Sequence, residues 1–318
     1  MRALFIIDPL DSLKPYKDTS LDLMAEAQGR GYDVAFCEYT DIHAGSEGVL
    51  GTVQLIEFVK DIHTAMTMTP DLYRLEGPEI EDLSDFDVIF IRKDPPFDQA
   101  YLSLTLLLEP LEGDVLFVNS PSGVRAISEK LSALRFPDFI PETLVSYEPE
   151  VLRAFAGDHD KVVLKPCYYG SGKGVVVSSA DDPDFETHVN NILQLEPFGP
   201  VIAQGFLPEV ADGDARVMML DGDFVGAVGR KPPEGDFRAN IAVGGTEFHV
   251  DLTPRQEEIA AEIGDYLRQN GILYAGLDFI GDKLIEINVT SPTLIKELRK
   301  VGGPDVSAMI WDLLEEMA

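Results

Sequence analysis

Along the first third of the chain, short apolar runs alternate with a segment whose apolar positions recur at helical spacing. Residues 3–7, 33–38, 88–91 and 115–118 read as strands, because β-branched and aromatic side chains suit a buried, pleated surface. Residues 20–30 predict a helix, closed by Gly31, a residue that accepts the left-handed backbone a helix end needs. Strand–helix–strand alternation predicts a parallel sheet with helices on its faces.

After residue 120 the pattern changes. A helix is predicted over 122–134, then a strand at 162–164, a glycine-rich loop over 168–174 and a strand at 175–178, together a flap-like hairpin. Beyond residue 200, strands at 201–204, 216–220, 223–228, 276–280 and 283–289 suggest an antiparallel sheet, with helices over 254–270 and 306–317. Residues 230–245 include Pro232-Pro233-Glu234-Gly235 and show no sustained periodicity; the stretch is long enough to be a lid. The fold class expected is α/β, turning α+β in the C-terminal part, with units at 1–120, 121–200 and 201–318.

At 318 residues, 45% hydrophobic and 25% charged, the composition is that of an ordinary globular chain, long enough for two or three domains and a large buried core. No apolar stretch approaches the ~20 residues of a membrane span. The opening run ends at Asp8-Pro9 and reads as a first strand rather than a signal peptide. Cys37 and Cys167, the only cysteines, offer neither a disulfide framework nor metal-site spacing, which fits a reduced, cytoplasmic setting. The charge balance is the unusual feature: 25 Lys+Arg against 56 Asp+Glu, a net −31. Such a surface repels nucleic acid and anionic membranes, and it suits a salty medium that screens dense like charge. An anion site on this chain must be locally basic against the global field, so clustered Lys and Arg become informative.

Residues 276–288 place Asp278, Glu286 and Asn288 in an otherwise apolar hairpin. Glu286 and Asn288 share a strand face, with Ile285, Ile287 and Val289 on the other. A three-residue connection over 281–283 sets Asp278 opposite Glu286; a two-residue connection puts it on the wrong face unless a bulge corrects the register. Two carboxylates and an amide oxygen are hard ligands suited to Mg²⁺. The same alternation also describes a sheet with one solvated face. Upstream, Lys165 at a strand end precedes Gly170, Ser171, Gly172, Lys173 and Gly174, a loop whose backbone amides can approach phosphate oxygens. It is neither a Walker loop nor a dinucleotide fingerprint. Lys130, Arg216, Arg230, Lys231 and Arg238 complete the basic candidates, and Lys130 is expected on the 122–134 helix. The five histidines are scattered, and neither a serine nucleophile elbow nor a zinc-protease motif is present.

The chain resembles the bacterial-type glutathione synthetases of the ATP-grasp superfamily over essentially its whole length. The resemblance rests on Ile7-Asp8-Pro9, Lys17-Asp18-Thr19, Arg30-Gly31-Tyr32, Arg92-Lys93-Asp94-Pro95-Pro96-Phe97-Asp98, Leu164-Lys165-Pro166 and Gly276-Leu277-Asp278. Most specific, with the Arg92 string, is Glu286-Ile287-Asn288-Val289-Thr290-Ser291-Pro292-Thr293. It implies an N-terminal Rossmann-like domain, a central lid domain and a C-terminal antiparallel sheet that clamps ATP against the lid. By position, Lys130 and Lys165 resemble the lysines that hold ATP phosphates, and Gly170 to Gly174 the small phosphate-covering loop. Gln204, Gly205, Phe206 and Leu207 resemble the hinge that reads adenine, and Asp214 a nucleotide-site aspartate. Asp278, Glu286 and Asn288 match the ligands of Mg²⁺ (or Mn²⁺). Arg216, Arg230, Arg238 and Asn240 fall on catalytic positions, the last two in a mobile loop over 231–245, and Ser291, Pro292 and Thr293 on an acceptor site.

The implied reaction joins γ-glutamylcysteine to glycine at the expense of ATP, in a homo-oligomer, a tetramer by family likeness. One departure is Thr246, where the family often carries Arg after the paired glycines. It keeps open a ligase with another acceptor amine or thiol peptide. A third reading is a non-catalytic, ATP-binding regulatory protein.

Overall fold

The computed structural model describes residues 1–170, 172–233 and 245–318. The N-terminal sheet opens with β1 (Arg2–Ile7), crosses through α1 (Thr19–Gly29) and returns as β2 (Asp33–Cys37), parallel to β1. Asp18 caps α1 by accepting a hydrogen bond from Leu21 N at 2.9 Å, and Gly31, at φ +80°, turns the chain out of it. The chain then departs from the expected pattern. Strands β3 (Ile42–Gly45), β4 (Gly48–Phe58) and β5 (Tyr73–Asp82) form an antiparallel extension with β5 outermost. Nothing in the apolar pattern announces β5, because it is exposed along most of its length and has no buried face to encode. Strand β6 (Val88–Arg92) lies parallel to β1; α2 (Gln99–Leu108) follows, and β7 (Leu116–Val118) lies parallel to β6.

The helix expected over 122–134 is a correction. Ser120 caps a short α3 (Pro121–Ala126), and Ile127 is already extended at φ −107°, ψ 105°. A continued helix would spend the backbone at 129 on internal bonds. Instead Glu129 O accepts from Ile287 N at 2.8 Å, which ties the turn at residues 129–131 to a strand of the C-terminal sheet. Lys130 therefore sits on an irregular segment rather than on a helix face.

The second sheet is antiparallel. It contains β8 (Thr143–Ser146), followed by α4 (Pro149–Ala156), then β9 (Val162–Pro166) and β10 (Val176–Ser178), the expected hairpin. After α5 (Phe185–Leu193), β11 (Val201–Gly205) inserts between β9 and β8. Leu152, Phe185, Val189, Leu164 and Ala203 fill a small core of its own.

The third sheet has the order β14-β13-β12-β15-β16, every pair antiparallel. Its members are β12 (Asp214–Leu220), β13 (Asp223–Lys231), β14 (Thr246–His249), β15 (Tyr274–Ile280) and β16 (Lys283–Asn288). Helix α6 (Pro254–Gln269), opened by a Thr253/Gln256 capping box, packs on it. Helices α7 (Ile295–Lys300) and α8 (Val306–Met317) return to the N-terminal sheet. Trp311 donates to Leu23 O at 3.0 Å and packs on Phe90, whose ring stacks on Phe5 at 4.4 Å. Asn119, just past β7, bonds the backbone of Tyr274 and Val289, locking the first sheet to the third. Among the described residues no helix is long and apolar enough to cross a membrane.

Candidate active site

A cleft of about 970 Å³ opens where the three sheets meet. The carboxyl ends of parallel strands β1 and β6 supply Asp8, Arg92 and Asp94 on one side, the usual mouth for ligands of such sheets. β9 and β11 supply Lys165 and Gln204; β12, β13, β15 and β16 supply Asp214, Arg216, Arg230, Asp278, Glu286 and Asn288. At least eight of the chain's 25 Lys and Arg residues line it, against as many carboxylates. The cleft is thus close to neutral rather than basic. Within a chain of net −31 that still marks a concentration of cations.

The register of β15 and β16 answers the question the sequence left open. The connection has two residues, since Ile280 pairs with Lys283, and a bulge at Ile285 restores Asp278 to a position opposite Glu286. Asn288 faces Gly276 one step further on, and its amide donates to Gly276 O at 3.2 Å, which leaves its oxygen free to accept.

Buried ion pairs organise the floor. Arg216 Nε and Nη2 donate to Asp278 Oδ1 and Oδ2, each at 2.6 Å, directly across the β12–β15 ladder. Arg230 grips Asp214 with two bonds of 2.7 Å across β12–β13 and reaches Asp278 Oδ2 at 3.1 Å. Burial alone would raise the Asp278 carboxyl; the guanidiniums of Arg216 and Arg230 overturn that and hold it well below the usual range. Asp214 goes the other way, raised by burial more than Arg230 lowers it.

Opposite lie the lysines. Lys165 donates to Gln204 Oε1 at 3.1 Å, and burial lowers its ammonium to about 8, with Glu286 opposing and Lys130 assisting the shift. Lys130 is buried and does not itself line the cleft, donating to Tyr169 O, with Nζ 3.6 Å from Glu286 Oε1. Lys173 rests over the Tyr169 ring at 4.3 Å.

The structure brings Gly170, Gly172, Lys173, Gly205, Phe206, Leu207, Ser291 and Thr293 to the same cleft. Gly174 and Pro292 do not line it; Gly174 packs against Pro166 and Leu195, and Pro292 O accepts from Arg92 Nη2 at 3.0 Å. Ser171, Arg238 and Asn240 lie outside the described residues. Cys167 is buried against Pro200 O, its thiol pushed up to about 11 by burial, which suits packing rather than nucleophilic chemistry.

Several residues that line the cleft are given no role by the sequence: Lys17, Arg92, Glu129 and Glu297. Arg92 is buried, donating to Ser20 Oγ at 3.1 Å, and Asp94 N donates to Asp8 Oδ2 at 2.8 Å. Glu297 is 3% exposed, lines the cleft, and its Oε2 finds no hydrogen-bond partner among the described residues. The one signal that could have found Arg92 is its position at the carboxyl end of a parallel strand, inside a long specific string. Glu297 gives no such signal.

The donor set of Asp278, Glu286 and Asn288 fits a divalent cation that shares its shell with phosphate. Among the described residues no three acidic, His or Cys side chains converge to hold a metal alone. Two carboxylates and an amide oxygen leave the rest of an octahedron to phosphate oxygens and water, as Mg²⁺ prefers.

Fold and site together define an ATP-grasp protein. A D-cycloserine synthetase superposes with a TM-score of 0.68 at 15% identity, covering 100% of both chains. An ATP-grasp protein with a RimK domain from Sphaerobacter thermophilus gives 0.60 at 17%, covering 99% of both. Within that class, residues 1–125 match the prokaryotic glutathione synthetase N-terminal domain and residues 129–303 match the prokaryotic glutathione synthetase ATP-grasp domain. The glutathione synthetase of Agrobacterium fabrum is 39% identical over 98% of this chain and 95% of its own; that of Parasynechococcus marenigrum is 41% identical over 95% and 94%. The chain belongs to the prokaryotic glutathione synthetase family.

Proposed function

We propose that the protein is an ATP-dependent carboxylate–amine ligase that joins γ-glutamylcysteine to glycine, releasing glutathione, ADP and phosphate. The observation that carries this is one cleft in which Lys165, Arg216 and Arg230 face Asp278, Glu286 and Asn288, with Lys130 buried against Glu286, in a chain of this family.

A carboxylate is a poor electrophile at neutral pH. Transfer of the γ-phosphoryl group of ATP to the peptide's cysteinyl carboxylate makes an acyl phosphate. The glycine amine then attacks its carbonyl, loses a proton, and phosphate leaves. Crowded negative charge is the main obstacle, so the protein's contribution is positioning and preorganised positive charge. Gln204, Gly205, Phe206 and Leu207 are assigned to the adenine, with Lys161 over the Phe206 ring at 6.0 Å. Lys130 and Lys165 are assigned to the phosphates, and Arg216 and Arg230 to the transferring group. Mg²⁺ or Mn²⁺, held by Asp278, Glu286 and Asn288, supplies further positive charge to phosphate oxygens when bound.

The far end of the cleft is assigned to the peptide. A γ-glutamyl group presents an α-ammonium and an α-carboxylate, and Glu297 with Arg92 and Lys17 offers the complementary charges. Ser291 and Thr293 are assigned to the acceptor side. The units 1–120, 121–200 and 201–318, a cytoplasmic setting and a homotetramer belong to the same reading.

The test is ADP release by purified protein with γ-glutamylcysteine and glycine, each omitted in turn. ADP release that requires both supports the reading. Release that needs a different amine or thiol peptide moves the assignment to another acceptor, and nucleotide binding without release on any pair removes the catalytic claim.

A further inference from the structure

We infer that the metal position refuses a free divalent cation and admits one only together with the phosphate chain of a nucleotide. This rests on the ligase reading above and concerns how that site is assembled.

Both carboxylates of the metal set already have cationic partners. Asp278 receives Arg216 on its two oxygens at 2.6 Å each and Arg230 on Oδ2 at 3.1 Å. Glu286 Oε1 lies 3.6 Å from Lys130 Nζ. Arg216, Arg230 and Asp278 are each less than one-tenth exposed, so water does little to soften an exchange of partners. A divalent ion arriving alone competes with the Arg216 guanidinium for the Asp278 oxygens, and every contact it takes leaves that guanidinium less well paired, buried beside Arg230, whose charge already repels it.

The charge balance points the same way. Lys130, Lys165, Arg216 and Arg230 stand against the carboxylates of Asp214, Asp278 and Glu286, one positive charge in excess. A lone divalent ion would triple that excess. A metal–triphosphate complex is net negative, and its phosphate oxygens offer Arg216 and Lys130 acceptors to replace the carboxylates they give up. The arginine pair thus makes Asp278 a metal ligand conditional on phosphate, which guards the site against ions collected by the acidic surface of a chain with net charge −31.

The test uses the full chain in about 0.3 M KCl, where short-range screening quiets the diffuse surface charge. Free Mn²⁺ is read from its electron paramagnetic resonance signal. Without nucleotide, wild type should leave Mn²⁺ free at concentrations where Arg216→Gln binds one ion, the affinities differing by about tenfold or more. The added site should disappear when Glu286→Gln is combined with Arg216→Gln, which ties it to this cluster. Arg216→Lys keeps the charge but cannot span both oxygens; it should show a smaller gain in the same direction and serves if the glutamine variant does not fold. Separately, water-proton relaxation with Mn²⁺ and the β,γ-imido analogue of ATP should reveal a ternary complex on wild type. Wild type binding Mn²⁺ alone as tightly as the folded Arg216 variants would overturn the inference and leave the ligase reading standing. Absence of the ternary complex on wild type would overturn the ligase reading, and the inference with it.

Discussion

Glu129 Oε1 accepts two hydrogen bonds from Thr290, one from its backbone N–H at 3.2 Å and one from its hydroxyl at 2.7 Å. The same oxygen takes Val289 N at 3.1 Å. The residue before Lys130 is thereby fastened to the chain just past Asn288, so one carboxylate sets the distance between the phosphate-side lysine and the metal-side strand.

Glu129→Ala should therefore act in two ways. Three donors lose a charged acceptor, which should cost about 2–4 kcal/mol in urea unfolding. Lys130 also loses its registration, so KM for ATP should rise. Thr290→Val removes only the hydroxyl bond and should cost about 1 kcal/mol with little change in KM. Equal stability losses in the two variants would show that the carboxylate is not the fastening.

The two acidic members of the metal set should respond differently to substitution. Glu286→Gln keeps shape and leaves Lys130 an acceptor, so turnover should vanish while the unfolding midpoint stays close to wild type. Asp278→Ala should abolish turnover and also destabilise by about 3–5 kcal/mol, because it strands a buried guanidinium. Calorimetry beside the ADP assay separates the cases. Wild-type turnover in either variant would remove the metal assignment.

The strand pair that carries Asp278, Glu286 and Asn288 was legible because alternation in a half-buried hairpin leaves a period of two in the sequence. Its exact pairing was not. A bulge at Ile285 has no signature residue, so the apolar pattern is compatible with a two-residue or a three-residue connection. Lys130, expected on a helix, lies on an irregular segment. Residues 122–134 have the composition of a helix, and what ends it at Ala126 is a contact with Ile287, some 160 residues away, that local propensity cannot register. The peptide end of the cleft was hidden for a related reason. Arg92 and Glu297 come from elements two hundred residues apart, and each alone looks like an ordinary charged residue beside a hydrophobic run.

Lys165 gives a pH signature. Its ammonium, lowered from 10.5 to about 8 by burial, loses its charge above that pH in the free protein. Bound phosphate oxygens restore the charged form, so kcat/KM for ATP should fall above pH 8 while kcat persists to higher pH. Lys165→Arg should flatten the kcat/KM limb. The stability effect has the opposite sign: between about 8 and 10.5 the unfolded chain holds a proton that the folded chain has released, so unfolding free energy contributed by this group rises with pH. A kcat/KM profile unchanged across that window would show that Lys165 does not meet the nucleotide.

Glu297 separates a binding role from a structural one. Burial raises its carboxyl above the usual 4.5, so ionisation costs the folded state more than the unfolded chain. Stability is therefore lost as pH rises past 4.5, and Glu297→Gln should leave the neutral-pH melting temperature equal or higher. A residue kept for the fold would show the reverse. If the orphaned oxygen instead awaits the α-ammonium of the peptide, the same variant should raise KM for γ-glutamylcysteine by about tenfold or more, the weight of a lost charged hydrogen bond. KM for ATP should stay unchanged, because the nucleotide is assigned to the other end of the cleft. A stable variant with wild-type KM for the peptide would place the γ-glutamyl head elsewhere.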